Sequence, residues 1–302
     1  MRIGAIEAGG TKFVCGIGDG EGNILDRIRF PTEEPDRTIG RAIEYFRGHQ
    51  VDAIGIGSFG PVNLDRSSPL YGHVTTTPKP GWSGYDVLGA MKKEFSVPFG
   101  WDTDVNAAAF GEARWGAAKG LDSCVYFTIG TGIGAGVYAE GRLVHGLVHP
   151  EAGHIPVKRH PDDRFEGVCP YHGDCLEGMA SGPAIEKRWQ VKGADLPADH
   201  PAWELEAHYL AQAVATAILM LSPKKIILGG GVMHQPQLFP LVRAKVQRLL
   251  NGYVQSEHVL ASIDQYIVPP GLGDDAGLRG ALALGLEALR EGAVPKVPLE
   301  QP

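Results

Sequence analysis

The chain writes one local pattern twice. RIGAIEA runs into GGTK and out again as FVCGIGD, and SCVYFTIGTGIGAGVYAEGRLVHG restarts the theme further on. Each opening is an apolar strand, a glycine turn and a second strand. In the first half ILDRIRFPT continues the meander after the GEGN turn. PDRTIGRAIEYFRGH then sets Ile39, Ala42, Ile43 and Phe46 on one helical face. VDAIGIGSFG reads as a buried strand ending in glycine, 85–95 as a helix, VPFGWDTD as strand then loop, and 105–117 as a helix. In the second half AWELEAHYLAQAVATAILMLS reads as a long buried helix and KKIILGGGV as a strand running into glycines. LFPLVRAKVQRLLNGYV reads as a helix, SIDQYIVPP as a strand and AGLRGALALGLEALRE as a terminal helix. A pattern duplicated in this way predicts an α/β protein of two related domains with a cleft between them, 1–117 and 118–302. The last helix is expected to pack back on the first domain and the tail VPKVPLEQP to fray.

Composition excludes several partners. A net charge of −7, with Lys and Arg scattered along the chain, lacks the basic footprint that nucleic acid requires. The N-terminus has no apolar run of signal-peptide type, and no stretch approaches the ~18 apolar residues of a membrane span. Cys15 and Cys124 sit alone in strand-like surroundings, so disulfides are not expected, and the cytoplasm is the expected location.

The 42 glycines gather in discrete loops. AGGTK supplies Gly9, Gly10, Thr11 and Lys12; GTGIGAG supplies Gly130, Thr131 and Gly132; GGGV supplies Gly229, Gly230 and Gly231. Successive main-chain N–H groups without side chains can cradle phosphate oxygens. Any one such loop is ordinarily just a turn. GTGIGAG leads into a strand instead of a helix, so the Rossmann context fails, and no GxxxxGK[ST] occurs. Three such loops in a duplicated α/β chain fit a nucleotide site of another kind.

CPYHGDC places Cys169, His172 and Cys175 two residues apart each time. Three soft or borderline ligands in seven residues point to Zn²⁺, which takes four in a tetrahedron. His154, fourteen intervening residues upstream, is the candidate fourth. A disulfide or chance are the alternatives; a disulfide leaves His172 unexplained and needs an oxidising compartment.

Taken in order, AGGTK, DVNAAAFGE, GTGIGAG, EAGH and the Cys/His knot followed by LEG resemble the ROK family of sugar kinases and repressors, within the actin/hexokinase (ribonuclease H-like) fold superfamily. IGSFGPVNLD, YGHVTTTPKPGW and CPYHGDCLEG are similar, more narrowly, to its bacterial zinc-containing fructokinases, whose knot is Cys-x-x-His-x-x-Cys where the common pattern is Cys-x-Cys-x4-Cys. The repressors carry an N-terminal helix-turn-helix, for which a first loop starting at residue 8 leaves no room, so a kinase is expected.

The resemblance carries implications residue by residue. Asp104, which on the residues alone reads as the cap of helix 105–117, matches the family's catalytic base. Thr103 stands in the sugar site where Asn is commoner, and Asp102 reads as structural. Glu151, His154 and Glu177 match residues that bind sugar hydroxyls, with His154 serving the zinc through its other nitrogen. Zinc would then be a structural clip, and Mg²⁺ would come with ATP. Glu7 stands where most of the family has Asp and could reach that Mg²⁺. ATP, a hexose and a homodimeric partner are implied. The sugar is expected to be D-fructose, phosphorylated at the 6-hydroxyl, with glucose or mannose as the alternative. Pro78, Pro80, Gly81 and Trp82 would form a stiff wall over the sugar, the alternative being a structural loop with Trp82 in the core.

Overall fold

The computed structural model describes residues 1–293; the tail expected to fray lies outside the described residues. Contacts divide the chain into two units. One holds Met1–Gly111, His145–His149 and the segment from Asp275; the other holds Glu112–Val144 and Pro150–Asp274.

In the first unit β1 (Ile3–Ala8), β2 (Lys12–Gly18) and β3 (Ile24–Pro31) form an antiparallel meander. β4 (Ala53–Ser58) and β5 (Phe99–Thr103) extend the sheet in parallel on the other side of β1, giving the order β3-β2-β1-β4-β5. β1 and β4 are apolar nearly throughout because both faces are covered. Helix α1 (Pro35–Arg47) starts with proline at its first turn and buries Thr38, Ile39, Ala42 and Phe46 at helical spacing. Helix α2 (Val87–Lys92) is shorter than the expected 85–95; the Asp86 carboxylate accepts the Gly89 N–H at 2.7 Å and starts it. Helix α3 (Asp104–Trp115) follows β5 without a break.

Trp82 is fully buried, so the tryptophan wall over a sugar is not what this loop builds. Its indole N–H donates to the Glu33 carbonyl at 2.9 Å, and its ring packs on Phe13, Phe59 and Tyr85. A buried indole needs a partner for its single donor, and the core offers one here.

The second sheet repeats the first. β6 (Cys124–Ile129), β7 (Ile133–Ala139) and β8 (Arg142–Leu143) form the meander, and β9 (Ile226–Gly229) and β10 (Ile267–Val268) run parallel beside β6, in the order β10-β9-β6-β7-β8. Helices α4 (Leu176–Ala180), α5 (Gly182–Trp189), α6 (Ala202–Leu221) and α7 (Leu238–Leu250) follow, with short turns α8 (Glu257–Leu260) and α9 (Ile263–Tyr266). Most of α6 is buried, in a core with Trp203, Tyr209 and Phe239. SIDQYIVPP departs from the expected strand: its first half coils into α9, and only Ile267 and Val268 pair with β9. Tyr266, three residues after Ile263, is buried by that turn and donates to the Pro223 carbonyl at 2.8 Å.

The last helix, α10 (Ala276–Ala293), lies in the first unit against β4, β1 and β5. Its approach is close enough that a Cβ on Gly55 would strike the Ala281 carbonyl, which is why β4 carries glycine there. Among the described residues no helix is long and apolar enough to cross a membrane.

Candidate functional site

The first unit carries Asp104 at the start of α3. The expected cap turns out to be its neighbour: Thr103, only 3% exposed, accepts the Asn106 N–H on its hydroxyl at 3.0 Å. That leaves Asp104 as the first helical residue, half-buried, with one oxygen accepting the Val105 N–H at 2.8 Å. Asp102 is buried and structural in its contacts. One oxygen accepts the Thr103 N–H at 2.8 Å and the Asn106 side-chain amide at 2.7 Å; the other meets His145 Nε2 at 2.7 Å.

AGGTK is the hairpin turn between β1 and β2. The Gly9 N–H donates to the Lys12 carbonyl at 3.0 Å, and the Thr32 hydroxyl to the Gly9 carbonyl at 2.7 Å. With the Gly9 amide turned inward, Gly10, Thr11 and Lys12 are the exposed tip. Glu7, one residue short of that turn, is half-buried against the first turn of α10, where a Cβ on Gly277 would come within 2.8 Å of its carboxylate oxygen.

The second unit brings two of the glycine loops together. GTGIG turns between β6 and β7, with the Gly130 N–H on the Gly132 carbonyl at 2.9 Å. A Cβ on Gly130 would lie 3.9 Å from the Gly231 nitrogen. Gly230 has φ of 89° and abuts the Ile129 main chain, so only glycine fits there; a 3₁₀ turn over Gly231–His234 separates it from α7. Gly229 is buried beside the Tyr126 hydroxyl, whereas Gly231 faces open space. A third segment joins them without a signal in the sequence reading: the Gly182 N–H, at the start of α5, donates to the Gly130 carbonyl at 2.7 Å.

The Cys/His knot closes as its spacing predicts. One donor atom each from His154, Cys169, His172 and Cys175 lies within 4.8 Å of the others. Cys169 Sγ is 3.7 Å from His154 Nδ1 and 3.6 Å from His172 Nδ1, and Cys175 Sγ is 3.5 Å from His154 Nδ1. Tetrahedral zinc, with Zn–N near 2.0–2.1 Å and Zn–S near 2.3 Å, sets N···S edges of about 3.5 Å. The donor set and its edges fit that ion, and all four cysteines of the chain are free thiols. Cys169 and Gly173 bond to each other through both main-chain pairs, and Gly173 takes φ of 68° to make the turn.

Around the knot stand the other expected sugar residues. Glu151 precedes the 3₁₀ turn Ala152–His154, and the His154 N–H donates to its carbonyl at 3.0 Å. Glu151 keeps an exposed surface, yet its carboxyl is pushed up to about 7, first by desolvation and then by the Glu177 carboxylate. Glu177, on α4, has an unexpected contact: one oxygen accepts the Ile133 N–H at 2.9 Å, tying the knot to the GTGIG hairpin.

Other anchors carried no local signal. His149 is buried and its Nε2 accepts the Val62 N–H at 3.1 Å. Glu112, fully buried, accepts three main-chain N–H groups, from Ala117, Gly271 and Leu272, at 2.6–3.0 Å. Each pairing joins residues whose separation no periodicity encodes.

The profile of the ROK family matches residues 3–288. A protein of Bacillus subtilis (strain 168), with a provisional fructokinase name, is 57% identical over 291 residues, covering 96% of this chain and 97% of its own. The fructokinase of Pediococcus pentosaceus is 49% identical over 290 residues, covering 96% and 99%. Among solved structures, the ROK hexokinase from Thermus thermophilus is similar with a TM-score of 0.77 at 26% identity, covering 97% of this chain and 100% of that one.

Proposed function

We infer from the ROK family, to which this chain belongs, that it is an ATP-dependent sugar kinase phosphorylating D-fructose to fructose 6-phosphate. The observation that carries this reading is identity of 57% and 49% to fructokinase-named relatives along nearly the whole of both chains. The two repeated sheets are those of the actin/hexokinase-like, ribonuclease H-like fold.

In the reading we favour, Asp104 takes the proton of the sugar 6-hydroxyl as that oxygen bonds to the γ-phosphorus of ATP. The bond from that phosphorus to the bridging oxygen breaks and ADP leaves. Thr103 supports this by capping α3, which frees Asp104 from the capping role; its buried hydroxyl makes a direct sugar contact the lesser part of its work. Glu151, His154 and Glu177 would hold sugar hydroxyls. The tips Gly10–Lys12 and Thr131–Gly132, with Gly231, would offer N–H groups to the phosphates, while Gly9, Gly130, Gly229 and Gly230 shape those loops. An ATP-dependent kinase implies Mg²⁺, which neutralises phosphate charge; Glu7 is the candidate carboxylate toward it.

Zinc held by His154, Cys169, His172 and Cys175 would leave no open position for substrate, so its role is structural. His154 uses Nδ1 toward the sulfurs, which leaves Nε2 for the sugar. A cytoplasmic location suits a site built on free thiols, and a homodimer completes the reading, to be checked by sedimentation.

The deciding experiment is kcat/KM for fructose, glucose and mannose with saturating MgATP. Fructose should lead, and glucose ahead of fructose would refute the fructokinase assignment while leaving a hexose kinase.

A further inference from the structure

The short segment His145–His149 belongs to the first unit, although the chain on both sides of it belongs to the second. Histidines anchor both of its ends: His149 on the Val62 N–H, and His145 on the Asp102 carboxylate at 2.7 Å. Between them Leu147 is fully exposed, so the segment is held by these two rings and not by apolar burial of its middle.

Asp102 is the more telling end. Its side chain is 4% exposed, and its two oxygens are shared among three donors: the Thr103 N–H, the Asn106 amide and His145. Asn106 also gives its N–H to the Thr103 hydroxyl, so residues 102, 103 and 106 close a ring of hydrogen bonds around residue 104. A buried carboxylate needs both hydrogen bonds and a compensating charge. The two amides supply only bonds; the imidazole can supply both.

The charges facing His145 are few. The Asp102 hydrogen bond raises the affinity of the ring for its proton, against partial desolvation and the positive charge of Arg66. Arg66 is itself paired, both terminal nitrogens lying 3.1 Å from Glu291 on α10. Tyr71 lies within reach of both Arg66 and Asp102 and brings no charge in the neutral range. His145 is thus the group able to carry a positive charge that meets Asp102 directly.

We propose that His145 is a positioning residue for sugar phosphorylation: through Asp102 it locks the turn that aims Asp104 and compensates the buried charge beside it. This rests on Asp104 as the base. Without the imidazolium, Asp102 leaves an uncompensated negative charge two residues from Asp104, which then keeps its proton to higher pH. Without the ring's hydrogen bond, the turn itself loosens.

The test uses His145→Ala and His145→Gln in the full chain, with kcat and kcat/KM for fructose followed from pH 5 to 9 and KM for ATP measured alongside. His145→Ala should lower kcat about tenfold while KM for ATP stays within about twofold. His145→Gln, which keeps an amide donor but no charge, should recover most of kcat. In both, the acid limb of kcat/KM should move up by roughly half a pH unit or more. An unmoved acid limb in folded His145→Gln overturns the proposal, as does a drop in kcat without that movement, which would mean a merely structural role. Should the variants not fold, the His145 ring is titrated by NMR in the wild type and in Asp102→Asn: a midpoint that does not fall on loss of the carboxylate is equally fatal. Asp104→Asn run in parallel separates the two readings. High turnover there removes the base assignment; an inactive Asp104→Asn beside wild-type-like His145 variants removes only this proposal.

Discussion

The turn between β1 and β2 is held from within its own sheet: the Gly9 N–H on the Lys12 carbonyl at 3.0 Å, and the Thr32 hydroxyl, just past β3, on the Gly9 carbonyl at 2.7 Å. The turn between β6 and β7 closes in the same way, Gly130 to Gly132 at 2.9 Å, but its brace comes from outside the sheet. Glu177 accepts the Ile133 N–H at 2.9 Å, and Glu177 stands two residues after Cys175, the last residue of the Cys/His knot. One topology therefore carries two kinds of support. The first hairpin is braced from its own sheet, by Thr32 and by the Phe59 N–H on the Ala8 carbonyl at 2.7 Å. The second leans on the start of α4, which is reached through a segment, 150–175, whose only helical turn is Ala152–His154 and which has little apolar core of its own. Where a segment cannot bury enough to order itself, a bound metal can supply the missing free energy of folding.

The largest separation between the regions should be chemical. Asp104→Asn should lower turnover by at least ~10² while leaving metal content and melting temperature as they were. Near-normal turnover would remove the chemistry from the first unit and with it the contrast.

Stability should divide the units next. Protein purified without added metal should contain about one equivalent of zinc, and Cys169→Ser should lose it and lower Tm by more than about 5 °C. Hydrogen exchange after chelation should rise over 130–137 and 151–180 while β1 and β2 stay protected. A uniform rise over both hairpins would show that they depend on the knot alike.

A smaller effect would sharpen the link itself. Glu177→Ala should raise KM for ATP roughly tenfold, on the order of the loss of a hydrogen bond to a charged group, and Glu177→Gln, which keeps an acceptor for Ile133, should restore much of it. An ATP affinity untouched by Glu177→Ala would mean that the second hairpin holds itself, as the first does.

The smallest effect lies in the second core. Glu206, on α6, is 1% exposed, and among the described residues neither of its oxygens has a hydrogen-bond partner. Burial raises its carboxyl well above the ordinary 4.5, against the weaker pull of Arg188. The folded state therefore keeps a proton that the unfolded state releases, and this contribution to stability is full below pH 4.5 and is lost as pH rises toward the folded value. Glu206→Gln should flatten that part of the stability–pH curve, and a curve of unchanged slope would place the carboxyl in a wetter setting than its burial implies.

The duplicated meanders, the buried strands β4 and β9 and the grouping of His154, Cys169, His172 and Cys175 were legible in the residues themselves. Alternation with period two, glycine at tight turns and ligands grouped within a few residues are local patterns, and local geometry dictates what they can form. Only the tertiary structure decided that Trp82 fills a core, that Thr103 and not Asp104 caps α3, and that SIDQY coils into α9 before two residues pair with β9. The same holds for His145 on Asp102, separated by 43 residues, and Glu177 on Ile133, separated by 44. A side chain's partner at that range depends on how two sheets twist and which rotamers the packing permits, and neither leaves a period in the chain. An indole's burial likewise depends on which rings reach it from β2 and the loops, so the same PGW could have faced water or core until the whole unit closed.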